Sequence, residues 1–289
     1  MKVIVLGSAG QIGSIVLDAL NPHHQVTGTS RRASEKHLLF NPFSDDWSRL
    51  GKADVLINCV GQIAPTRSSS FYDIHVGLIK LIIKNREKIG QPRIVNISAL
   101  GATPHHRVAF LRTKGIGDDL LLQCSDTIVL RPSIVCTHRT MLVRKMLLLA
   151  KVARYSGGVI FVPEGFLKTK IQPVMPIDLI NTIEIVLHTI VERIVNVVGR
   201  EAISFSDILT DMFEKANQKP RIIQIPRMLT DIVVKTAIAH VFPQLINSQQ
   251  YQLLFEDNTA DPGPVQKLLK RSLMSTSGFF KHEFSYAAH

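Results

Sequence analysis

The segment KVIVLGSAGQIGSIVLDAL, residues 2 to 20, decides the fold of this chain. Its first five residues, Lys2–Leu6, form a short apolar run that is typical of a buried strand. Residues 11–20 have the composition and apolar spacing of a helix. Between the two stand three glycines in the pattern G-x-x-G-x-x-G. The segment therefore predicts a strand, a tight glycine turn and a helix in immediate succession.

The glycine turn has the features needed to bind a diphosphate. Gly7 permits the tight turn, Gly10 lets the backbone approach a pyrophosphate, and Gly13 lets helix and strand pack closely. The amides and the dipole at the start of a helix favour an anion. The alternative is an ordinary strand-to-helix turn. We expect a dinucleotide site formed by Gly7, Ser8, Ala9, Gly10, Gln11, Ile12 and Gly13.

Two further turns are expected to contact the adenosine side of this nucleotide. After the second strand the chain reads Ser30-Arg31-Arg32, where an acid would favour NAD. Two guanidinium groups and a hydroxyl suit a 2′-phosphate instead, so NADP(H) is preferred over NAD(H), with a solvated basic turn as the alternative. After the strand at 54–59, the backbone at Cys59, Val60 and Gly61 should pass near the cofactor, with Asn58 capping that turn.

Short β-branched runs alternate with helical patterns through the first half of the chain. This alternation predicts an α/β fold with a doubly wound parallel sheet. We place the dinucleotide-binding domain at 1–135, a smaller C-terminal α/β lobe, partly interleaved with the sheet, at 136–256, and a poorly ordered tail at 257–289. The predicted strands are 2–6, 25–29, 38–40, 54–59, 93–97, 127–130, 194–198 and 221–225; the predicted helices are 11–20, 71–88, 110–123, 140–155, 177–191, 206–216 and 226–240.

Composition restricts the class of partner. The net charge of +11 favours an anionic ligand, an acidic partner or an acidic membrane surface. The basic residues are scattered and aromatic residues make up only 6%, so we expect no nucleic-acid partner. The three cysteines have no disulfide or metal-ligand spacing, and we expect no metal. A cytoplasmic location is expected, with peripheral attachment to the inner membrane left open.

Several later segments come in the order found in the short-chain dehydrogenase/reductase superfamily. They are INCVG (57–61), IVNISALGA (94–102), Lys114 and VLRPSIV (129–135), and they resemble its atypical and extended members, with the Rossmann fold. The segment IQPVMPIDLI (171–180) is similar to the substrate lobe of extended, epimerase/dehydratase-like members. A further resemblance is to the NADPH-binding accessory subunit of respiratory complex I, through FLRTKGIGDDLL (110–121) and LLFEDNTAD (253–261).

This resemblance implies roles for particular residues. Ser98 would orient a carbonyl group, and Lys114 would hold the nicotinamide ribose, with a solvated helix residue as the alternative. Pro132 would fix the loop beside the nicotinamide, or it could simply end its strand. The family's catalytic tyrosine stands four residues before this lysine, and that position here is Phe110. Phenylalanine has no ionisable hydroxyl, so the usual proton donor is missing. The proton could instead come from Lys114 itself or from the neighbouring histidines, His105 and His106.

Two classes of function therefore remain open. The first is an NADP(H)-dependent reductase or epimerase-like enzyme acting on a small carbonyl substrate. The second is a non-catalytic NADPH-binding accessory or regulatory protein. The apolar segment 141–154 carries basic residues on one half of its helical wheel, which would suit docking on an anionic membrane or a protein complex. A core helix with a solvated face is the alternative reading for these residues, Arg144, Lys145, Lys151 and Arg154.

Overall fold

The computed structural model describes residues 1–32, 34–64, 69–137, 139–189, 192–215, 221–234, 248–276 and 279. Contacts divide the chain into two compact units. The first unit consists of Met1–Pro132, Pro176–Val197 and Pro262–Ser272. The second consists of Ser133–Met175, Val198–Asp261 and the residues from Leu273 onward. Residues 176–197, from the range predicted as the lobe, and residues 262–272, from the range predicted as the tail, are thus part of the first unit.

The first unit is built on a seven-stranded sheet in the order β3-β2-β1-β4-β5-β6-β9. Every neighbouring pair in it is parallel. The predicted α/β class with a parallel Rossmann-type sheet is confirmed. The strands are β1 (Lys2–Leu6), β2 (Gln25–Ser30), β3 (Leu38–Leu39), β4 (Val55–Asn58), β5 (Arg93–Ile97), β6 (Thr127–Pro132) and β9 (Ile194–Val197).

The helices of the first unit form two groups. Helix α5 contacts both α1 and α9, and α2 contacts α3. The predicted helix 71–88 includes a π-helical turn, Asp73–Gly77, before α2, and a 3-10 turn, Arg86–Ile89, after it. The interruption matters because π turns are rare and occur often at functional sites. The helices are α1 (Gln11–Leu20), α2 (Leu78–Asn85), α3 (Ala109–Leu122), α5 (Pro176–His188) and α9 (Gly263–Leu269), with a further 3-10 turn at Trp47–Leu50.

The sheet is buried on both faces, which explains the continuous apolar runs of its strands. All four residues of β4 are buried, and so are four of the five residues of β1. Side chains of α2 and α3 complete one core cluster with Ile4, Leu56 and Ile94. The buried carboxylate of Asp178 on α5 pairs with Arg271 at 2.7 Å, which fastens the segment after α9 to this unit.

The second unit contains two small two-stranded sheets. Strands β7 and β11 pair in parallel, and β8 and β10 pair antiparallel. The rings of Phe166 and Phe205 stack at 4.4 Å in its core. Strands β7, β8 and β10 were not predicted. The elements are α4 (Met141–Tyr155), β7 (Val159–Pro163), a 3-10 turn (Phe166–Lys168), β8 (Lys170–Ile171), β10 (Ile203–Ser204), α6 (Phe205–Lys215), β11 (Arg221–Ile225), α7 (Arg227–Val233) and α8 (Ser248–Leu253).

The basic residues of α4 bear on the predicted docking of this helix. Arg144 is exposed, while Lys145 is partly buried, and burial lowers its pKa. The side chains of Lys151 and Arg154 lie outside the described residues. Within the part of the chain that the structure describes, no helix combines the length and apolarity needed to cross a membrane.

Candidate nucleotide-binding site

Four loops of the first unit meet at the carboxyl edge of its sheet. Strand β1 lies between β2 and β4, where the strand order reverses direction, and ligands of such sheets bind outside this crevice. The glycine turn follows β1, and the turn 59–61 follows β4. Ser98 follows β5, and Pro132 ends β6. The fold thus brings the predicted residues of four separate segments to one edge.

The glycine turn is shaped by close backbone contacts. Gly7 has a φ of +74°, and a Cβ atom there would lie 2.9 Å from Val60. A Cβ atom on Gly13 would lie 2.2 Å from the carbonyl oxygen of Gly7, so helix and turn touch there. Gly10 is exposed and gives the amides of α1 no side-chain cap. An uncapped helix start beside an exposed glycine is a geometry that fits a diphosphate.

Ser8 braces this turn from within. Its amide donates to the carbonyl oxygen of Thr29 at 3.1 Å, and its hydroxyl lies 3.0 Å from the same oxygen. The hydroxyl is also 2.8 Å from Nδ1 of His37, and the serine is fully buried. Ser8 therefore fixes the turn against β2, and its amide is already bonded.

The turn after β2 places two arginines in solvent. Arg31 and Arg32 are both exposed, while Ser30 is buried. The Ser30 hydroxyl accepts a hydrogen bond of 3.0 Å from the amide of Arg32, which orders the start of the turn. Both guanidinium groups follow directly on the carboxyl end of β2, where the adenosine ribose lies in dinucleotide-binding folds.

Below the crevice, the ends of β4, β5 and β6 are joined by a buried polar network. Asn58 accepts from the amide of Val60 at 3.2 Å, as predicted for a cap, and donates to Asn96 at 2.8 Å. Asn96 in turn donates to the carboxylate of Asp118 at 3.2 Å. Ser98 and Arg131 donate to the same carboxylate at 2.8 and 2.9 Å.

The Ser98 hydroxyl is bonded within this network. The resemblance to the superfamily implies a different role for it, the orientation of a substrate carbonyl. Ser98 is only 5% exposed and Asp118 is fully buried. Burial raises the pKa of Asp118, against the opposing effects of Ser98 and Arg131. A buried carboxylate needs such donors, because an uncompensated charge in the interior is costly. Ser98 therefore stabilises Asp118 in this arrangement.

Lys114 lies on α3 with its ammonium group at the same edge. It donates a hydrogen bond of 3.1 Å to the carbonyl oxygen of Ile97. A Cβ atom on Gly61 would lie 3.6 Å from Nζ, so the turn after β4 passes close by. Burial lowers the pKa of Lys114 from 10.5 to about 8, although Asp118 acts in the opposite direction. A pKa near neutrality is a property of acid–base groups and also of lysines buried for structural reasons.

Phe110 is packed among aromatic rings one helical turn before Lys114. Its ring centre is 6.0 Å from that of Phe71 and 5.6 Å from that of His75. The ring positions show an edge-to-face cluster, which is a favourable aromatic geometry. The position at which the short-chain dehydrogenase/reductase superfamily has its tyrosine is thus occupied by a ring that forms part of an aromatic cluster.

His75 is a site residue that the sequence analysis missed. Its Nδ1 lies 2.8 Å from the hydroxyl of Thr113, whose only hydrogen is directed to the carbonyl oxygen of Ala109 at 2.8 Å. Nδ1 therefore carries the proton, and Nε2 accepts from the amide of Gln62 at 3.4 Å. Burial and the charge of Lys114 lower the pKa of His75 to about 3, so the ring is neutral.

Glycines on α3 allow this close packing. A Cβ atom on Gly117 would lie 2.4 Å from the carbonyl oxygen of His75, and one on Gly115 would lie 2.2 Å from Thr103. A small cleft remains between these elements. It is lined by Asn58, Val60, Ile74, His75, Ile79, Asn96, Ile97 and Lys114.

The remaining candidate residues have structural contacts. Nδ1 of His106 accepts from the amide of Val108 at 3.0 Å, at the start of α3, and His105 is exposed. Pro132 is buried, and its carbonyl oxygen accepts from the amide of Leu100. Cys59 donates its amide to Leu6, and burial raises the pKa of its thiol to about 12.

The first unit has a Rossmann-type α/β fold, and solved structures share this fold. The chain is similar to UDP-glucuronic acid 4-epimerase from Bacillus cereus, solved with UDP-glucuronic acid and NAD, with a TM-score of 0.73, 16% identity and 99% of each chain covered. It is also similar to RMD from Pseudomonas aeruginosa, complexed with NADPH, with a TM-score of 0.70, 12% identity, and 99% of this chain and 98% of that one covered. No protein-family model matches the sequence.

Two curated proteins are similar in sequence. One is the mitochondrial NADH-ubiquinone oxidoreductase 40 kDa subunit of Neurospora crassa, 18% identical over 89% of this chain and 72% of the relative. The other is the mitochondrial NADH dehydrogenase (ubiquinone) 1 alpha subcomplex subunit 9 of Arabidopsis thaliana, 24% identical over 75% of this chain. The match spans 57% of the length of that second relative.

Proposed function

We propose that this chain binds NADP(H) at the glycine turn and holds it without turnover, as a nucleotide-binding subunit of a larger assembly. The observation that carries this proposal is the environment of Phe110. Its ring packs against Phe71 and His75, and no ionisable hydroxyl stands at the position one turn before Lys114. Hydride transfer to a carbonyl needs a proton donor at the carbonyl oxygen.

The side chains of His75 and Ser98 do not replace the missing hydroxyl. His75 has a pKa of about 3 and keeps its proton on Nδ1, bonded to Thr113. Ser98 donates to Asp118. Each of these groups is held by its own partner, so they support a rigid platform beneath the nicotinamide more readily than a proton relay.

The preference for NADP(H) rests on Arg31 and Arg32. Both are exposed at the carboxyl end of β2, within reach of the region where a 2′-phosphate would lie. Guanidinium groups bind phosphate with two parallel hydrogen bonds, which adds specificity to charge. The glycine turn supplies the diphosphate site for either nucleotide, so these arginines account for the choice between them.

Association with a larger assembly is supported by the curated relatives. Both are named as subunits of an NADH-oxidising enzyme of mitochondria. The net charge of +11 adds an electrostatic reason to expect an acidic partner or an acidic membrane surface. We therefore expect the chain to lie at the periphery of such an assembly, either in the cytoplasm or attached to the inner membrane.

The proposal is tested by the nucleotide that the purified protein carries. The chain is denatured after purification, and the released nucleotide is identified by mass spectrometry. We expect NADPH or NADP⁺, a raised melting temperature on adding NADPH, and no oxidation of NADPH with a panel of aldehydes, ketones and nucleotide sugars. A protein that retains no nucleotide and whose melting temperature ignores NADPH would contradict nucleotide binding.

A second function, a reductase or epimerase-like enzyme for a small carbonyl compound, is favoured by one observation. The pKa of Lys114 is about 8, so its ammonium group can donate a proton near neutral pH. In that case one substrate of the panel should be turned over, and Lys114→Ala should abolish turnover while NADPH still binds. Turnover that survives this substitution would exclude Lys114 as the acid.

A further inference from the structure

A second cluster of potential ligands lies in the first unit, away from the nucleotide site. Nε2 of His24 is 2.8 Å from an Oε1 of Glu184, and Nε2 of His188 is 3.6 Å from the same oxygen. The two imidazole rings are 5.8 Å apart between their centres. One ligand atom from each residue can be chosen so that all lie within 4.8 Å of one another.

The two helical members of this cluster are held in place by their element. Glu184 and His188 are four residues apart on α5, so both side chains project from one face of the helix. Arg93 donates to the carbonyl oxygens of Val186 and Thr189 at 2.9 and 3.1 Å, which fixes the end of α5. The carboxyl end of a helix also favours a positive charge.

His24, the third member of the cluster, is largely buried. The side chain of His24 is only 6% exposed, whereas those of Glu184 and His188 are 38% and 51% exposed. The cluster thus has one ligand fixed by burial and two at the surface, which leaves a path for an ion to enter. The carboxylate of Glu184 also gives the cluster an anionic oxygen that would attract a cation.

We propose that His24, Glu184 and His188 form a binding site for a divalent transition metal of the zinc type. Two imidazole nitrogens and one carboxylate oxygen are a known zinc donor set, with water as the fourth ligand. Metal–ligand bonds of about 2.0–2.2 Å place tetrahedral ligand atoms about 3.4 Å apart. The two separations from Oε1 of Glu184, 2.8 and 3.6 Å, lie on either side of that value, and all three ligand atoms lie within 4.8 Å of one another, so side-chain movements of about 1 Å would close the set.

The location shows which elements a bound metal would join. His24 lies between α1 and the start of β2, and His188 ends α5 shortly before β9. Both positions precede strands, so the site is at the amino edge of the sheet, whereas the glycine turn is at the carboxyl edge. A bound ion would fasten the α1–β2 turn to α5 and raise stability without touching the nucleotide.

Metal binding is measured on the full chain after removal of any histidine tag. Zn²⁺ is titrated in competition with a chromophoric chelator, and Co²⁺ is added to record the visible spectrum of its bound form. The wild type should bind one equivalent and melt at a higher temperature with Zn²⁺. His188→Gln and Glu184→Gln should each weaken binding by at least about tenfold, because even outer-shell partners contribute that much.

His23→Gln is the matched control. His23 is the exposed neighbour of His24, outside the ligand cluster, and its loss should leave zinc affinity and the cobalt spectrum unchanged. Equal affinity in the wild type and both ligand variants would overturn the proposal, as would an equal loss in His23→Gln. NADPH affinity should be the same with and without Zn²⁺, so this test is independent of nucleotide binding.

Discussion

The ammonium group of Lys114 lies 5.9 Å from the centre of the Phe110 ring, one helical turn away. A cation near an aromatic face gains about 0.5–2 kcal/mol, depending on its exposure to water. This contact and the hydrogen bond to Ile97 do not restore the full hydration of the charge, since burial still lowers the pKa of Lys114 to about 8. The charged form of Lys114 therefore lowers the stability of the folded chain, and Phe110 has no hydroxyl that could bond to it.

This cost predicts a pH-dependent effect of Lys114→Met. The pKa of Lys114 in the folded chain, about 8, is below its ordinary value of 10.5. Between these pH values the unfolded chain binds more protons, so the stability of the wild type rises with pH. Below pH 8 the full cost is present, up to about 3 kcal/mol for this shift. Urea denaturation should show the variant more stable at pH 7, with the difference shrinking towards pH 10.

Lys80→Met provides the control for this measurement. Lys80 is exposed, and its ammonium group lies 5.8 Å from the centre of the Tyr72 ring, so it shares the cation–ring contact but not the burial. Its substitution should change stability by less than about 0.5 kcal/mol at either pH. A constant difference between Lys114→Met and the wild type from pH 7 to 10 would show that Lys114 is not buried as a charge.

The hydrogen bond from Ser98 to Asp118 predicts that Ser98→Ala affects folding more than nucleotide binding. The substitution removes one donor from a buried carboxylate, at a cost of about 1–3 kcal/mol. NADPH affinity should stay within about twofold, which is about 0.4 kcal/mol, because the Ser98 hydroxyl is bonded to Asp118. Urea denaturation and nucleotide titration measure the two effects separately.

Ser44→Ala is the control for this measurement, because Ser44 makes the same type of hydrogen bond on the surface. Ser44 donates to Asp45 at 3.2 Å on the surface, and Ser44→Ala should leave stability nearly unchanged. If Ser98→Ala instead left stability intact and weakened NADPH at least tenfold, the hydroxyl would belong to the cofactor site and not to the Asp118 network.

The main sheet could be predicted because its signals are local. Most strands of the first half are short apolar runs between turns, and the bounds of β1 and β5 agree with the prediction to the residue. Strands β8 and β10 have two residues each, too few to show any periodicity. Strand β7 forms through pairing with the distant β11, which no local pattern reveals.

The candidate site likewise contains a local turn that the sequence predicts and long-range contacts that it does not. The glycine turn is contained in one segment, so its sequence predicts both its shape and its ligand class. His75 and Thr113 are 38 residues apart, and Ser98 and Asp118 are 20 apart, so their hydrogen bonds depend on how α3 packs against its neighbours. His24 and Glu184 are 160 residues apart, and the expectation of no metal came from cysteine spacing alone, so the sequence did not reveal this cluster.

Gly10 and Gly13, at the start of α1, predict different effects of alanine substitution. Gly13→Ala would force a methyl group to 2.2 Å from the Gly7 carbonyl oxygen, and we expect a loss of about 1–3 kcal/mol or more in the free energy of unfolding. Gly10→Ala meets the same oxygen at 3.1 Å and should fold nearly normally. Its methyl group projects from the exposed start of α1, so NADPH affinity should fall while stability is kept.

Thermal denaturation and nucleotide titration of both variants separate these effects. Similar stability losses in the two variants would show that the Gly7 carbonyl does not determine the packing. Normal NADPH affinity in a well-folded Gly10→Ala variant would place the diphosphate elsewhere.

The arginines after β2 give the sharpest test of nucleotide choice. Arg31→Ala with Arg32→Ala removes both exposed guanidinium groups. Hydrogen bonds to charged groups contribute about 1.5–3 kcal/mol each, so NADPH affinity should fall at least about tenfold. NADH has no 2′-phosphate, and its affinity should change by less than about twofold. In the wild type, added salt should weaken NADPH more than NADH, because exposed charge pairs are screened.

Arg49→Ala controls for the loss of positive charge alone. Arg49 is exposed and pairs with Asp45, and its removal should leave the ratio of NADPH to NADH affinity unchanged. Equal losses of NADPH and NADH affinity in the double variant would mean that the arginines attract any nucleotide to the crevice. The choice of NADP(H) would then have to come from other residues of the adenosine side, because removing arginines that contact the 2′-phosphate must weaken NADPH more than NADH.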